Sequence, residues 1–409
     1  MLDTRRGKEQ MNVLLLEGIH ESAVKNFKVA GFKNIEISKN AMPEDELAKK
    51  IKEVDVLGIR SHTQVPERVL NSANNLLVVG CFCIGTNQVD LNAAMNRGVP
   101  VFNGPYSNTR SVAEMVLGEI IMLLRGVPEK NAKAHQGVWV KGASNSYEVR
   151  HKKLGIVGYG NIGTQLSYMA ESVGMHVYFY DILPKLPHGN AMSVPSLKKL
   201  LAECDVITLH VPETPETRNM IGEEQIAAMK PGSILINAAR GSVVDINALA
   251  SALKRGHLAG AAIDVFPDEP KSDNEAFTSP LQQFDNVILT PHIGGNTREA
   301  QEHIGEEVSE KLVNFVSYGS TMLAVNFPQV SLFSPPGLHR VLHIHKNIPG
   351  VLSAINNVFS ENHVNIAGQY LQTNTDIGYV VTDVEKDYSI GALEKLRNAP
   401  GTIRMRVIS

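Results

Sequence analysis

Gly158-Tyr-Gly-Asn-Ile-Gly163 is a G-x-G-x-x-G turn set between an apolar strand, Leu154 to Val157, and a helical pattern from Ile162 to Val173. Such a turn lets backbone N–H groups approach a pyrophosphate at a helix N-terminus. Taken alone the pattern is weak, because an ordinary strand-to-helix turn also carries it. Here a second strand, His176 to Tyr180, ends in Asp181, about 20 residues beyond the loop, where an acid accepts from a ribose 2′-hydroxyl. Ile182-Leu183-Pro184 follows with no arginine for a 2′-phosphate, so NAD is expected rather than NADP. Gly158, Gly160, Asn161, Ile162, Gly163 and Asp181 are the expected cofactor contacts of this region. The turn sits unusually late, since a first Rossmann strand normally opens its domain and here some 150 residues precede it.

Two series of alternating strands and helices explain that position. Asn12 to Leu16, Asn34 to Ser38, Val56 to Ile59, Leu77 to Gly80 and Val99 to Phe102 read as strands of a small parallel α/β sheet. The second series begins at Leu154 and continues with His176 to Tyr180, Asp205 to His210, Ser233 to Asn237, Ala259 to Asp264 and Asn286 to Thr290. Those six strands match a doubly wound dinucleotide fold. Ser107 to Arg125 is expected as a joining helix, opened by a capping box of Ser111 and Glu114 or else by Ser107. A helix from Arg298 to Val316 is expected to carry the chain back to the first domain, which is then discontinuous. The expected domains are 1–107 with 296–330 for substrate, 108–295 for NAD, and 338–409 as a separate module.

Phe327 to Gly337, with Pro328, Ser331, Ser334, Pro335 and Pro336, reads as a linker to that module. Beyond it, Arg340 to Ile344, Val364 to Leu371, Gly378 to Val384 and Thr402 to Ile408 read as strands, and Gly350 to Ser360 and Ile390 to Asn398 as helices. This βαββαβ order is ferredoxin-like.

The 409 residues, 43% hydrophobic and 20% charged, fit an ordinary globular protein of two or three domains. A formal charge of −3 gives no footprint for nucleic acid or an anionic membrane. Arg5-Arg6 precedes an apolar run, Val13 to Leu16, too short for a signal segment, so a cytoplasmic protein is expected. Cys81, Cys83 and Cys204 lack a C-x-x-C spacing, so reduced, mostly buried thiols are expected and no metal site.

Three strand ends carry residues suited to carbonyl–alcohol chemistry. Arg240 lies in Asn237-Ala238-Ala239-Arg240-Gly241, Glu269 in Val265-Phe-Pro-Asp-Glu269-Pro, and His292 in Pro291-His292-Ile-Gly294-Gly295. All fall at carboxyl ends of parallel strands, where ligands bind in such folds. An imidazole exchanges a proton near neutral pH, a carboxylate partner orients it, and a guanidinium holds a carboxylate with two parallel bonds. Singly each also has a bland reading, as a capping Arg, a surface Glu or a loop His.

These motifs, in this order, resemble the D-isomer-specific 2-hydroxyacid dehydrogenases over about Asn12 to Phe327. The resemblance implies that Arg240 binds the substrate carboxylate and carbonyl, and that His292 is the acid/base paired to Glu269. It also implies cofactor contacts from Ala238, Ala239, Arg240, Asp264, His292, Gly294 and Gly295. Gly58-Ile-Arg60-Ser61 and Asn103-Gly-Pro-Tyr-Ser-Asn108 resemble the substrate segments of the branch acting on 3-phospho-D-glycerate, which places Arg60, Ser61 and Asn108 at the substrate. Reduction of 2-oxoglutarate is an expected side reaction. Another 2-hydroxy acid as substrate, or a non-catalytic NAD-sensing protein on the same scaffold, are the alternatives.

The tail resembles an ACT module, which in this branch binds the inhibitor L-serine. Asn347 stands where a strand meets a helix start, beside N–H groups suited to a carboxylate, and Asn365 opens the next strand. Both are also common turn residues. The resemblance implies that His345, Asn347 and Asn365 hold serine between subunits of a homo-oligomer, with a tetramer as precedent. Trp139, the one tryptophan, is expected in the core by default. The resemblance instead makes it an interface anchor, with Lys141 contacting substrate phosphate in a neighbouring subunit.

Overall fold

The computed structural model describes residues 7–270, 275–333, 338–385 and 390–408. Arg5-Arg6 and Ser334 to Gly337 lie outside the described residues. The chain divides into two compact units, Met1–Ser107 with Gln301–Ser409, and Asn108–Ala300.

The first unit opens with five parallel strands: β1 (Asn12–Leu15), β2 (Asn34–Ile37), β3 (Val56–Ile59), β4 (Val78–Cys81) and β5 (Val101–Asn103). Their order is β2-β1-β3-β4-β5, so the chain reverses direction between β1 and β3. Strands β3, β4 and β5 are buried on both faces, which is why they read as unbroken apolar runs rather than alternating ones. One face is covered by the helix Arg298–Tyr318, whose Val308 and Leu312 lie so close to Gly80 that a Cβ there would stand 2.7 Å from Leu312.

The second unit contains seven parallel strands: β6 (Lys153–Val157), β7 (His176–Tyr180), β8 (Met192–Ser193), β9 (Val206–Leu209), β10 (Ser233–Asn237), β11 (Leu258–Ile263) and β12 (Val287–Leu289). The order β12-β11-β10-β9-β6-β7-β8 places β6 and β9 side by side, with the glycine turn above their carboxyl ends. The two-residue edge strand β8 went unexpected, because it is too short to show a period. The helix Thr109–Leu124 buries Val112, Val116, Ile120 and Leu123 in the core formed with β6, β9 and β10.

The expected capping box is not formed. Asn108 holds the N-cap position with no side-chain capping bond, Ser111 donates its hydroxyl to the Gly294 carbonyl at 2.7 Å, and Glu114 pairs with Arg110. The tertiary partner offered by the Gly294 turn displaces the local one. Trp139 is 87% exposed, contrary to the default of a core tryptophan. Left-handed Gly137 ends the helix Val127–His135, and the chain that follows has no regular structure to cover the indole.

The tail forms an antiparallel sheet from β13 (His339–Lys346), β14 (Ile366–Thr373), β15 (Ile377–Val384) and β16 (Thr402–Ile408), in the order β14-β15-β13-β16. One face, with Val341, Val380 and Met405, packs against the helices Val351–Glu361 and Ile390–Arg397. The other face, with Leu342, Ile344, Ile377, Tyr379 and Val381, joins the core that contains Val13, Val78, Leu312 and Phe315. Polar bonds run along that junction. Arg340 pairs bidentately with Asp383 at 2.7 and 2.8 Å and donates to the carbonyls of Tyr318 and Phe333. Arg406 donates to Val316, Arg404 to Leu76, and the Tyr379 hydroxyl to Gly319. Left-handed Gly319 caps the helix Arg298–Tyr318 by donating its N–H to Phe315 O, and Arg406 and Arg340 satisfy the next free carbonyls, those of Val316 and Tyr318.

Candidate active site

Two glycines of the turn are required by contact rather than by sequence custom. Gly158 has φ +91°, and a Cβ on it would stand 2.4 Å from the His210 carbonyl oxygen; one on Gly163 would stand 2.3 Å from Gly158 O. The middle glycine differs, since a Cβ on Gly160 meets nothing within 4 Å. Gly160 is also the N-cap of the helix Asn161–Ser172 and supplies no side-chain cap. Free N–H groups at a helix N-terminus facing open space fit the pyrophosphate of NAD. Asp181 receives Tyr159 N at 2.8 Å and Leu183 N at 2.9 Å. Both bonds hold the carboxylate at the end of β7, with lone pairs left for ribose hydroxyls.

Arg240 is positioned by its own loop. Asn237, fully buried at the end of β10, accepts from Ala239 N and donates to Arg240 O, closing the backbone around the arginine. Gly241 then touches the Phe266–Pro267 backbone so closely that a Cβ would overlap it. That contact brings the Arg240 loop against the segment bearing Glu269. Glu269 is held in turn by Phe266 N, which donates to its Oε1 at 3.1 Å.

The His292 Nδ1 stands 2.8 Å from Glu269 Oε2. The hydrogen bond to Glu269 raises the His292 pKa above its ordinary value, against partial burial, and the nearby Arg240 charge opposes it weakly. Partial burial works against ionising Glu269, but its bonds to His292 and Phe266 N prevail and hold its pKa low. With Nδ1–H committed to the carboxylate, neutral His292 carries its lone pair on Nε2. The side chain is 53% exposed, so that nitrogen is accessible for proton transfer.

The turn carrying His292 hangs on Asp264, which sequence reasoning assigned only to the cofactor. Asp264 is 2% exposed; its Oδ1 accepts from Thr290 Oγ1 and Ile293 N, and its Oδ2 from Gly294 N. Its carbonyl also accepts from His292 N at 2.8 Å. These four bonds hold His292 in a left-handed conformation, φ 54°, that a non-glycine residue rarely keeps. Beside the same turn, Asn108 is buried with Oδ1 unpartnered, and a Cβ on Gly295 would lie 2.4 Å from its Nδ2. Glu119 went unnoticed as well: it is 2% exposed, neither oxygen has a partner, and burial, helped by the Asp264 charge, pushes its pKa up to about 8.

The remaining expected residues belong to other segments of the chain. Arg60, at the end of β3, is half-buried and Ser61 exposed, while Lys141 is exposed beside Trp139. In the tail, His345 is buried with Nε2 unpartnered and Nδ1 bonded to Lys346 O. Asn347 and Asn365 are exposed and donate to Asn374 O and Glu385.

Known proteins resemble this chain in sequence and fold. The NAD binding domain of D-isomer specific 2-hydroxyacid dehydrogenases matches residues 117–294, and an ACT domain like that of the AHAS small subunit matches residues 341–404. A D-3-phosphoglycerate dehydrogenase of Escherichia coli strain K12 is 58% identical over 403 residues, 98% of each chain. One of Haemophilus influenzae is 59% identical over 401 residues, again 98% of each. Among solved structures, a D-lactate dehydrogenase of Aquifex aeolicus complexed with NAD and lactic acid is 29% identical, with a TM-score of 0.64 over 75% of this chain and 95% of that one. Identity at this level across nearly the whole of both chains decides the matter: the protein belongs to the D-isomer-specific 2-hydroxyacid dehydrogenase family, within its D-3-phosphoglycerate dehydrogenase branch, and is an NAD-dependent oxidoreductase.

Proposed function

We propose that the enzyme oxidises 3-phospho-D-glycerate at its 2-hydroxyl to 3-phosphooxypyruvate, opening L-serine synthesis, and that L-serine inhibits it through the ACT module. The observation that carries the chemistry is the Glu269–His292 pair at the ends of β11 and β12, joined at 2.8 Å. NAD, held by the Gly158–Gly163 turn and Asp181, would supply the hydride acceptor for C2. His292 takes the hydroxyl proton at Nε2 while Glu269 steadies the imidazolium through Nδ1. Arg240 holds the carboxylate and the oxygen that becomes the carbonyl, with a planar fork that matches both. Asp264 keeps the His292 turn in place, Asn108 offers its unpartnered Oδ1 nearby, and Asp181 selects NAD through the ribose. Arg60 and Ser61 are the residues we assign to the phosphate.

For L-serine, we assign Asn347, Asn365 and the buried, unpartnered Nε2 of His345. Access to that nitrogen is expected where tails of neighbouring subunits meet, in a homo-oligomer and by family precedent a tetramer. The exposed Val138-Trp139-Val140 segment supports a second contact, with Lys141 serving the neighbour's phosphate site. No helix among the described residues is long and apolar enough to cross a membrane, and we place the enzyme in the cytoplasm.

One assay tests the reading: NADH formation from 3-phospho-D-glycerate, with and without L-serine, beside D-glycerate and D-lactate. Preference for the phosphorylated acid and inhibition by serine are expected. Equal turnover of lactate would assign the enzyme a different hydroxy acid. Reduction of 2-oxoglutarate, whose second carboxylate can take the place of phosphate, is the expected side reaction.

A further inference from the structure

The loop after β3 is built around a carboxylate from another part of the unit. Glu17 follows β1 and is 7% exposed, with φ 64°. Its Oε1 accepts from Arg60 N at 3.1 Å and Thr63 N at 2.8 Å, and its Oε2 from His62 N at 2.9 Å. The Arg60 side chain reaches back to the Glu17 carbonyl, with Nη1 at 3.5 Å. From the other side, Gln88 donates to Arg60 O at 2.6 Å. Three loop amides thus converge on Glu17 as they do on a bound anion in a backbone nest. The next residue, Gly18, is left-handed too, and N–H groups of both are tied to Asn40 O and Ser38 O.

We propose that Glu17 is the positioning residue of the phosphate-binding loop: it occupies the amide nest of residues 60–63 and so fixes the direction from which Arg60 meets the substrate's phosphate. This rests on the assignment of Arg60 to the phosphate. The geometry has two consequences. The nest is filled by the protein's own carboxylate, so recognition of the phosphate falls to side chains. Glu17 also places a negative charge beside an anion site, which on electrostatic grounds alone weakens binding. The order it imposes on Arg60 must outweigh that repulsion, because holding a charged group in register is what makes it effective.

The two effects have opposite signs, so substitution separates them. Glu17→Gln keeps the shape but turns one acceptor into a donor facing an amide. Glu17→Gly removes the side chain and tolerates the left-handed backbone, guarding against misfolding. The readout is the ratio of kcat/KM for 3-phosphooxypyruvate to that for hydroxypyruvate, its dephosphorylated analogue, with Arg60→Gln measured alongside and thermal melting as a check. A fall in the ratio of about tenfold in both Glu17 variants, carried by KM and matched in direction by Arg60→Gln, is the expected result. An unchanged or increased ratio in the Glu17 variants, with a fall in Arg60→Gln, overturns the role of Glu17 and leaves the Arg60 assignment standing. No fall in any of the three overturns both. Equal losses on the two substrates with a lower melting temperature make Glu17 a general stabiliser and also overturn the proposal.

Discussion

Glu119→Gln is expected to stabilise the enzyme more as the pH rises, and the size of the effect follows from burial. The carboxyl is 2% exposed, unpartnered, and shifted from an ordinary 4.5 to about 8. The unfolded chain releases this proton from about pH 4.5 upward, whereas the fold keeps it until about pH 8. Across that window the fold binds more protons, so stability falls as pH rises and the full loss is reached above pH 8. At 1.36 kcal/mol per pKa unit the loss approaches about 5 kcal/mol, of which roughly 2–3 kcal/mol accrues between pH 6 and pH 9. A buried glutamine has its own desolvation cost, but that cost does not vary with pH and cancels when two pH values are compared. Thermal melting of both proteins at pH 6 and pH 9, at one protein concentration, reads the difference. The variant's advantage in Tm is expected to grow by about 5–10 °C at the higher pH, taking roughly 2–4 °C per kcal/mol for a domain this size. Parallel Tm–pH curves would refute the reasoning, because they would mean that Glu119 is ionised in the fold or solvated by a route not seen in the structure.

Other changes test the chemistry directly. His292→Asn is expected to reduce kcat by about 10²–10⁴; asparagine tolerates the left-handed φ of 54°, so NAD binding by fluorescence titration should persist. Near-normal turnover would remove His292 from the reaction. Glu269→Gln takes away the group that raises the His292 pKa, so the acid limb of kcat/KM for alcohol oxidation, which needs neutral His292, should move to lower pH while kcat drops; an unmoved limb would refute the pairing. Gly158→Ala forces a Cβ to 2.4 Å from His210 O at a left-handed position, so weaker NAD binding and a lower Tm are expected together by titration and melting.

The sheets were legible because parallel strands buried on both faces leave uninterrupted apolar runs, as in β3 and β4. The pairing of His292 with Glu269 was legible for a related reason: strand ends fall at predictable places, and the two residues stand a few positions past β12 and β11. What escaped were choices settled by distant partners. Ser111 and Glu114 have the spacing of a capping box, yet the Gly294 carbonyl, far away in sequence, takes the hydroxyl. Glu17 bonds amides more than 40 residues on, which no local pattern encodes. Glu119 did leave a trace, an acid alone in the apolar stretch Val116-Leu-Gly-Glu119-Ile-Ile, and a helix period would have set it on the buried side.

The second face of the tail's sheet bears on how this enzyme can be freed from feedback. Leu342, Ile344, Tyr379 and Val381 share one core with the parallel sheet of the first unit, and Arg340, Arg404 and Arg406 satisfy carbonyls outside the tail. Deleting the tail would bare that apolar area to water and strand the final carbonyls of a 21-residue helix. A truncated chain is therefore a poor stand-in for an unregulated enzyme, since loss of inhibition and loss of integrity would arrive together. On the proposed assignment of Asn347 and Asn365 to serine, desensitised forms are better sought by single exchanges at these exposed residues, which leave the second face of the sheet in its core.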